Sequence, residues 1–209
     1  MRTLVIDTAT QALSIALFDN GDLIAHHHEI AGRGHAEKLM PAIAALPGGG
    51  RANRVAVDVG PGSFTGVRIG IAAARALAFA WQADLTGYSA MTLIAAAARQ
   101  DGAKQWPVAV AITGGHGELF WQMFDSELSP GGDLESVPIA ALAAQVSAEV
   151  IYGSGAEALC AARGNGLAVP LHPDSRLFPH IPEHGLVPPH PLYGRGADAK
   201  PMATPAGAG

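Results

Sequence analysis

The residues with the clearest chemical potential form one glycine-rich stretch, VDVGPGSFTGVRIG, from Val57 to Gly70. An apolar strand leads there into a turn and then into a helix that Ser63 or Thr65 can cap. Free N–H groups and the partial positive charge at such a helix start can bind an anion. The lysine of a P-loop is missing, because the spacing fails the GxxxxGK pattern. Two interpretations stay open: a phosphate site, or a tight strand-to-helix connection that needs glycine for steric reasons.

A second polar group, Asp7-Thr8-Ala9-Thr10, follows the first apolar strand. An acid followed by hydroxyls in such a turn can hold a magnesium-bound phosphate, but Asp is equally a turn-forming residue. The candidate nucleotide contacts from the two segments are Asp7, Thr8, Gly60, Gly62 and Ser63.

The other reactive residue types give no catalytic or metal site. The nine histidines include no HExxH or HxxxH pair on a helix, which disfavours a protease-type zinc site. His26, His27 and His28 alternate sides of a strand, so at most two of them share a face. Cys160 is the only cysteine and has no obvious base beside it in the sequence. We therefore predict no catalytic residue and no metal ligand.

The helix after the glycine-rich turn, predicted from about Thr65 to Ala83, is apolar or small on nearly all sides. Its two charged residues, Arg68 and Arg75, are seven positions apart and share one face. Such a helix is either fully buried or covered by a partner. A chain of 209 residues can cover the sheet side of this helix but offers few layers for the other side. We therefore predict an oligomer interface there.

The elements that must position these residues predict an α/β fold. Apolar strands alternate with helices, and two consecutive hairpins at the N-terminus predict a sheet that mixes antiparallel and parallel pairs. We divide the chain into an N-terminal lobe, residues 1–100, and a smaller C-terminal lobe with a proline-rich tail, residues 101–209. Nine of the 15 prolines lie from Pro170 to Pro205, which predicts an extended, partly ordered tail.

Composition and charge exclude several classes of protein. A net charge of −5 disfavours autonomous nucleic-acid binding, and a single cysteine excludes a disulfide framework. No run of 18 apolar residues is free of charge and turn signals, so no membrane-spanning helix is predicted. The first seven residues indicate a strand rather than a signal peptide. We expect a soluble, cytoplasmic protein without a membrane partner.

The stretch from Val57 to Gly70 closely resembles the signature of the TsaB (YeaZ) family, and further motifs extend the resemblance along nearly the whole chain. The other matching segments are Ile6-Asp7-Thr8, His35-Ala36-Glu37 with Leu39-Met40-Pro41, Gly153-Ser154-Gly155-Ala156, and Pro191-Leu192-Tyr193 with Ala199-Lys200-Pro201. The resemblance implies an actin-like ATPase (ASKHA, ribonuclease-H-like) fold with two lobes of mixed sheet plus helices.

The resemblance also implies a function in the synthesis of N6-threonylcarbamoyladenosine (t6A) in tRNA. Proteins of this family pair with a TsaD-type paralogue, which carries the metal site and transfers the group, and a TsaE-type ATPase joins the pair. The chain would be a non-catalytic subunit that activates the paralogue, forms a homodimer when alone, and meets tRNA only through the complex. The partner contacts implied on its first two helices are Leu39, Met40, Ile43, Val67, Arg68, Gly70, Ile71, Ala73, Ala74, Ala76 and Leu77.

One segment departs from the family pattern. Members commonly carry Asp-Ala-Arg-x-Gly-Glu where this chain has Thr113-Gly114-Gly115-His116-Gly117-Glu118, so the acid and the arginine are absent. Backbone donors from Gly60 to Gly66 leave weak ATP or ADP binding open, with Mg²⁺ held at most indirectly.

Two other functions compete with the subunit hypothesis. A small ATPase or kinase-like enzyme of the same fold would turn over nucleotide in a reaction that depends on Asp7. A metallopeptidase would require zinc ligands, for which the sequence offers no pattern.

Overall fold

The computed structural model describes residues 1–194, which build two sheets flanked by helices. The strands of the first sheet are β1 (Arg2–Asp7), β2 (Ala12–Asp19), β3 (Asp22–Ile30), β4 (Arg54–Asp58), β5 (Asp84–Tyr88) and β11 (Leu186–Val187). Their spatial order is β11-β5-β4-β1-β2-β3. The first three strands form an antiparallel meander, and β4 and β5 run parallel to β1.

The second sheet repeats this arrangement. Its strands are β6 (Val108–Thr113), β7 (Glu118–Phe124), β8 (Glu135–Pro138), β9 (Val150–Tyr152) and β10 (Leu167–Val169). They lie in the order β10-β9-β6-β7-β8, again as an antiparallel meander followed by two parallel strands. In both halves a helix precedes the first parallel strand and another precedes the second. This duplicated path confirms the ASKHA-type α/β fold with two lobes of mixed sheet.

Helices cover both faces of each sheet. They are α1 (His35–Ala44), α2 (Phe64–Trp81), α3 (Ala90–Gln100), α4 (Ile139–Gln145) and α5 (Ala156–Arg163). Helices α1 and α2 pack on one face of the first sheet, and α4 and α5 on one face of the second. Helix α3 lies between the sheets, because Leu93 packs with the first core while Met91 and Ile94 pack with the second. The helix buried on nearly all sides is therefore α3 and not α2.

Helix α2 closely matches the segment predicted from about Thr65 to Ala83. Helix α2 begins after Ser63, whose Oγ accepts the N–H of Gly66 at 3.3 Å, as expected of an N-cap. Helix α1 continues through Pro41, although a proline inside a helix removes one hydrogen bond and favours a bend or interruption. Because Pro41 and Glu37 are both exposed, the carbonyl that loses its hydrogen bond four residues earlier lies on the solvent side.

Helix α2 also meets the length and composition of a membrane span, whereas the sequence predicts no such helix. It is the one helix within residues 1–194 that does so, and this is weak evidence because a core helix meets the same criteria. Gly70 and Ala74 face the sheet, and Arg68 and Arg75 face outward. The packing identifies α2 as a helix of the first lobe.

The chain after β10 differs from the predicted extended tail, because it returns to the first sheet. A 3-10 helix, Ser175–His180, packs on the face opposite α1 and α2, where Phe178 contacts Tyr88. Strand β11 then pairs antiparallel with β5. Burial of Phe178 and Ile181 compensates for the few backbone hydrogen bonds of this proline-rich segment. The Ala199-Lys200-Pro201 motif lies outside the described residues.

Candidate functional site

The glycine-rich turn between β4 and α2 packs directly against the turn after β1. A Cβ on Gly62 would overlap the carbonyl oxygen of Ala9, and a Cβ on Gly66 would overlap that of Thr8. The Thr8 hydroxyl donates to the carbonyl oxygen of Gly66 at 2.7 Å. The glycines therefore allow two backbone segments to approach closely, which is the steric interpretation left open by the sequence.

Three backbone N–H groups of this turn donate hydrogen bonds to acceptors within the protein. The N–H of Gly60 donates to Asp58 Oδ1 at 2.8 Å, and the N–H of Ser63 donates to the carbonyl oxygen of Ala9 at 2.6 Å. The N–H of Gly66 donates to the Ser63 hydroxyl. A phosphate would have to displace these bonds to reach the N–H groups of Gly60, Ser63 and Gly66.

Replacing Gly62 with alanine tests this steric role. The added methyl would force the two turns apart, and we expect the free energy of unfolding to fall by about 1–3 kcal/mol, as for an overpacked site. Gly115→Ala is the matched control: a Cβ there meets no atom within 4 Å, so we expect a change within about 0.5 kcal/mol. Urea unfolding measures both, and a Gly62→Ala protein as stable as the parent would contradict the close approach.

A row of five buried or half-buried polar side chains crosses the first sheet beside this turn. Cross-strand pairs join Asp58 to Tyr88, Asp7 to Ser14, and Ser14 to His28. Asp7 and Asp58 are also neighbours, because each directly follows one member of the Ile6–Val57 pair on the adjacent strands β1 and β4. All five lie on the face opposite α1 and α2 because strand residues alternate sides. This polar row consists of Tyr88, Asp58, Asp7, Ser14 and His28.

The C-terminal segment covers the polar row. The N–H of Ser175 donates to the Ser14 hydroxyl at 2.9 Å, and the Ser175 hydroxyl donates to the Ser14 carbonyl oxygen at 2.9 Å. The Tyr88 hydroxyl donates to the carbonyl oxygen of Ile6 at 3.1 Å. Burial, followed by the nearby Asp7 and Asp58 carboxyls, raises the pKa of Tyr88 well above its usual value, so this hydroxyl stays protonated and acts as a donor.

Asp7 and Asp58 form a buried carboxyl pair at the centre of the row. Asp58 Oδ1 accepts the N–H groups of Gly60 and Ala90 at 2.8 and 2.9 Å, while Asp7 Oδ1 accepts only that of Ala9, at 3.3 Å. Among the described residues, the second oxygen of each is buried and accepts no N–H or O–H. A proton shared between the two second oxygens satisfies both.

The electrostatics of the pair agree with a shared proton. Burial, followed by the charge of Asp58, raises the pKa of Asp7 well above its ordinary value. Burial also raises the pKa of Asp58 to about 7, although its backbone hydrogen bonds and Asp7 act in the opposite direction. Asp58 has the stronger hydrogen bonds to its charged form, so we place the negative charge on Asp58 and the proton on Asp7.

These residues do not fit a magnesium–nucleotide site. Mg²⁺ keeps several waters and takes carboxylates that water can reach, whereas the Asp7 and Asp58 carboxyls are buried and face one another. Within residues 1–194, no three His, Cys, Asp or Glu side chains are grouped so as to hold a metal ion. The five candidate nucleotide residues are thus brought together, but by packing between the two turns.

A cleft of about 300 Å³ separates these turns from the second lobe. Thr10, Gln11 and Ser63 line one side, and Thr113 to Gly115 with Ser154 line the other. Thr113 is held in place because its N–H donates to the Ser154 hydroxyl and its hydroxyl donates to the Ser154 carbonyl oxygen. The described lining contains no Lys or Arg, so the cleft lacks a cation for phosphate.

The predicted partner contacts divide into two groups. Six are buried in the core of the first lobe and are corrected here, because they cannot also face a partner: Leu39, Ile43, Val67, Gly70, Ile71 and Ala74. Their apolar character reflects the sheet side of each helix. Five others are exposed or half-buried on the outer side: Met40, Arg68, Ala73, Ala76 and Leu77.

The outer face of α2 carries the predicted contact Ala76 and, beside it, apolar residues that are not among the predicted contacts. Phe79 is 89% exposed, and Ala72, Ala76 and Ala80 are also exposed. Helical spacing could have revealed Phe79, which stands three residues after Ala76 and four after Arg75. We call these four residues the outer α2 face. A fully exposed phenylalanine among small residues has the form of an interface anchor.

The end of the described chain borders this face. Arg75 donates to the carbonyl oxygen of Pro189 at 2.8 Å, and Arg68 donates to the Tyr193 hydroxyl at 3.2 Å. Tyr193 stacks on Phe64 at 5.9 Å between ring centroids, and the Arg68 guanidinium lies 3.6 Å from the centre of the Phe64 ring. The two arginines thus hold the C-terminal segment along one side of the outer α2 face.

Comparison with protein families gives a match over more than half of the chain. The family model of TsaD, described as tRNA N6-adenosine threonylcarbamoyltransferase, matches residues 26–134. The tRNA threonylcarbamoyladenosine biosynthesis protein TsaB of Escherichia coli is 39% identical over 133 residues, which are 61% of this chain and 56% of that protein. TsaB of Haemophilus influenzae is 37% identical over 100 residues, 46% of this chain and 42% of that protein. The chain spans about half the length of the curated relatives it matches.

Solved structures show the same architecture. A crystal structure from Pseudomonas aeruginosa, described as a protein with similarity to peptidase YEAZ, superposes with a TM-score of 0.76 at 26% identity. The superposition covers 93% of this chain and 99% of that chain. Both lobes are therefore shared with that structure.

Proposed function

Because the chain belongs to the family described by the TsaD model and, among its members, to the TsaB (YeaZ) proteins, we propose that it is a non-catalytic subunit in the synthesis of t6A in tRNA. Its partner is a TsaD-type paralogue of the same fold, which it activates. A TsaE-type ATPase joins the pair, the protein forms a homodimer when alone, and tRNA is met only through the complex. The complex is cytoplasmic.

The observation that carries this proposal is the exposed outer α2 face. Phe79 and the neighbouring alanines are not covered by any of residues 1–194, whereas the opposite side of α2 is buried in the core of the first lobe. Small side chains let a second helix approach closely, and one aromatic side chain can fill a pocket on it. A helix of a paralogue with the same duplicated fold is a partner of suitable shape.

The interior of the protein supports a subunit rather than an enzyme. The carboxyl pair is buried, and the N–H groups of Gly60, Ser63 and Gly66 in the glycine-rich turn are engaged within the protein rather than free for phosphate. Activation would then act through packing, because contact at α2 orders the paralogue. The effect on the reaction is a coupling free energy between this interface and the active site of the paralogue, which lies at a distance from it.

A reconstitution experiment tests the proposal. The protein is mixed with the TsaD-type paralogue from the same organism, and the molar mass is measured by size-exclusion chromatography with light scattering. We expect a heterocomplex, and depletion of this protein in cells should remove t6A from tRNA. The isolated protein should hydrolyse no ATP above background.

Two outcomes would contradict the proposal. Absence of a heterocomplex together with normal t6A after depletion would remove the subunit function. ATP turnover by the isolated protein that Asp7→Ala abolishes would instead favour the kinase-like alternative.

A further inference from the structure

The polar row ends at His28, where the C-terminal segment brings a second imidazole, that of His172. Both rings are half-buried, and their Nδ1 atoms are buried without a hydrogen-bond partner among residues 1–194. The two rings are close enough to act on one another electrostatically. The fold thus places two unpartnered imidazole nitrogens at the junction between β3 and the segment that covers the first sheet.

The acid next to His172 in the sequence, Asp174, is already paired with Arg176. Asp174, two residues after His172, accepts Nε and Nη2 of Arg176 at 2.9 and 2.6 Å and the Arg176 N–H at 2.9 Å. These bonds outweigh burial and lower the pKa of Asp174, which His28 lowers further. Asp174 also acts on Asp7, the nearest carboxyl of the polar row. Both oxygens of Asp174 are thus already engaged by Arg176.

A proton on His172 changes its hydrogen-bonding needs. A neutral imidazole has one donor nitrogen and one acceptor nitrogen, so it can leave Nδ1 as a bare acceptor. An imidazolium carries N–H on both nitrogens, and at His172 the Nδ1–H would point into a buried site without an acceptor. Burial, followed by the charge that His28 can carry, lowers the pKa of His172 for this reason.

We propose that His172 and His28 form an acid-sensitive clasp, which holds residues 172–187 on the first sheet while His172 is neutral and releases them when His172 gains a proton. The docked segment is stabilised at neutral pH by the two Ser14–Ser175 hydrogen bonds and by burial of Phe178 and Ile181. Protonation opposes this docking locally and leaves the helices and sheets of the two lobes in place.

The sign of the pH dependence follows from the lowered pKa. The undocked segment has an imidazole with its ordinary pKa near 6.5, so it binds a proton at a pH where the docked form does not. Docking is therefore fully stable above pH 6.5 and weakens as the pH falls below it.

Hydrogen exchange of the full-length protein tests the clasp. Peptides from residues 175–187 are compared at pH 7.5 and 5.5 after correction for intrinsic exchange rates, with β1 as an internal reference. We expect protection of 175–187 to fall severalfold at pH 5.5 while β1 stays protected. His172→Gln should remove this pH dependence, and His190→Gln, which changes an exposed histidine just after the docked segment, should keep it.

A direct titration guards against a variant that fails to dock at any pH. The imidazole resonance of His172 in the unmodified protein is followed by NMR, and we expect its midpoint below 6.5. Unchanged protection at pH 5.5, a pH dependence that persists in His172→Gln, or a His172 midpoint at or above 6.5 would each overturn the clasp. None of these results depends on pairing with another protein, so they are distinguishable from failure of the proposed function.

Discussion

Ala76→Glu is expected to abolish pairing with the paralogue while leaving the first lobe folded. Ala76 is exposed on the outer α2 face, so glutamate costs little in the free protein but would be desolvated without a counter-charge in a close helix contact. A buried unpaired charge costs about 3–5 kcal/mol, which corresponds to a loss of affinity of more than 100-fold. Isothermal titration calorimetry with the paralogue measures the loss.

Two further variants make this result specific to the outer α2 face. Phe79→Ala should weaken pairing by about 2 kcal/mol or more, as for an aromatic anchor, with unchanged thermal stability. Ala158→Glu, an exposed alanine on α5 of the second lobe, should pair normally. Full affinity of Ala76→Glu would show that the partner contacts another surface.

A third variant, Ala74→Glu, distinguishes the effect of a charge in the core from the effect of a charge at the interface. Ala74 is only two residues from Ala76 but is fully buried against the sheet, so a glutamate there should unfold the first lobe. Circular dichroism of the two variants checks the contrast. Ala73 is half-buried against the same core, so Ala73→Glu should affect both folding and pairing.

Asp58→Ala is expected to lower the free energy of unfolding by about 3 kcal/mol or more, because Asp58 accepts two buried backbone N–H groups and each hydrogen bond to a charged group contributes about 1.5–3 kcal/mol. The N–H of Gly60 would lose its acceptor, and that of Ala90 would keep only a 3.2 Å bond to the carbonyl oxygen of Gly60. Asp58→Asn should lose much less, because its amide oxygen can accept the same two N–H groups and its NH₂ can donate to Asp7.

The pH dependence of the two proteins gives a sharper comparison. The folded pKa values of Asp7 and Asp58 are raised above the ordinary value near 4, so the native pair holds protons that the unfolded chain has released. The contribution of Asp58 to stability is complete below pH 4 and is lost as the pH rises through about 7, and the raised pKa of Asp7 gives a change of the same sign. Asp58→Asn removes the loss due to Asp58 itself and the charge with which Asp58 raises the pKa of Asp7, so its stability relative to the parent should increase between pH 5 and 8.5.

Urea unfolding at the two pH values measures this difference. Other titrating groups contribute equally to both proteins, so the comparison isolates the carboxyl pair. A stability difference that stays constant, or that shrinks as the pH rises, would contradict a proton shared between Asp7 and Asp58.

Much of the fold was predictable because its signals are local. The N-terminal hairpins are marked by alternating apolar residues and the turn from Asp19 to Asp22, and helix α2 by its cap at Ser63. Strand β5 was missed because Asp84–Tyr88 shows no strong apolar pattern. Strands β8, β10 and β11 have two to four residues and exist only because a neighbouring strand pairs with them.

The site was less predictable because burial depends on tertiary structure. The alanine-rich helices α2 and α3 are similar in composition, yet α3 lies between two sheets and α2 packs on one. The pattern could have shown that Asp58 and Ser14 lie opposite the apolar side chains beside them, since strand residues alternate. That Ser175, more than 160 positions later, would cover Ser14 had no local signal.

The position of α3 has a consequence for how the molecule unfolds. Leu93 belongs to the core of one sheet, and Met91, Ile94 and Ala98 belong to the core of the other. Neither lobe can separate from its neighbour without exposing this helix to water, so the duplicated halves are not independent domains in the thermodynamic sense. The two halves of similar topology should therefore unfold as a single cooperative structure, joined by a helix that contributes to both cores.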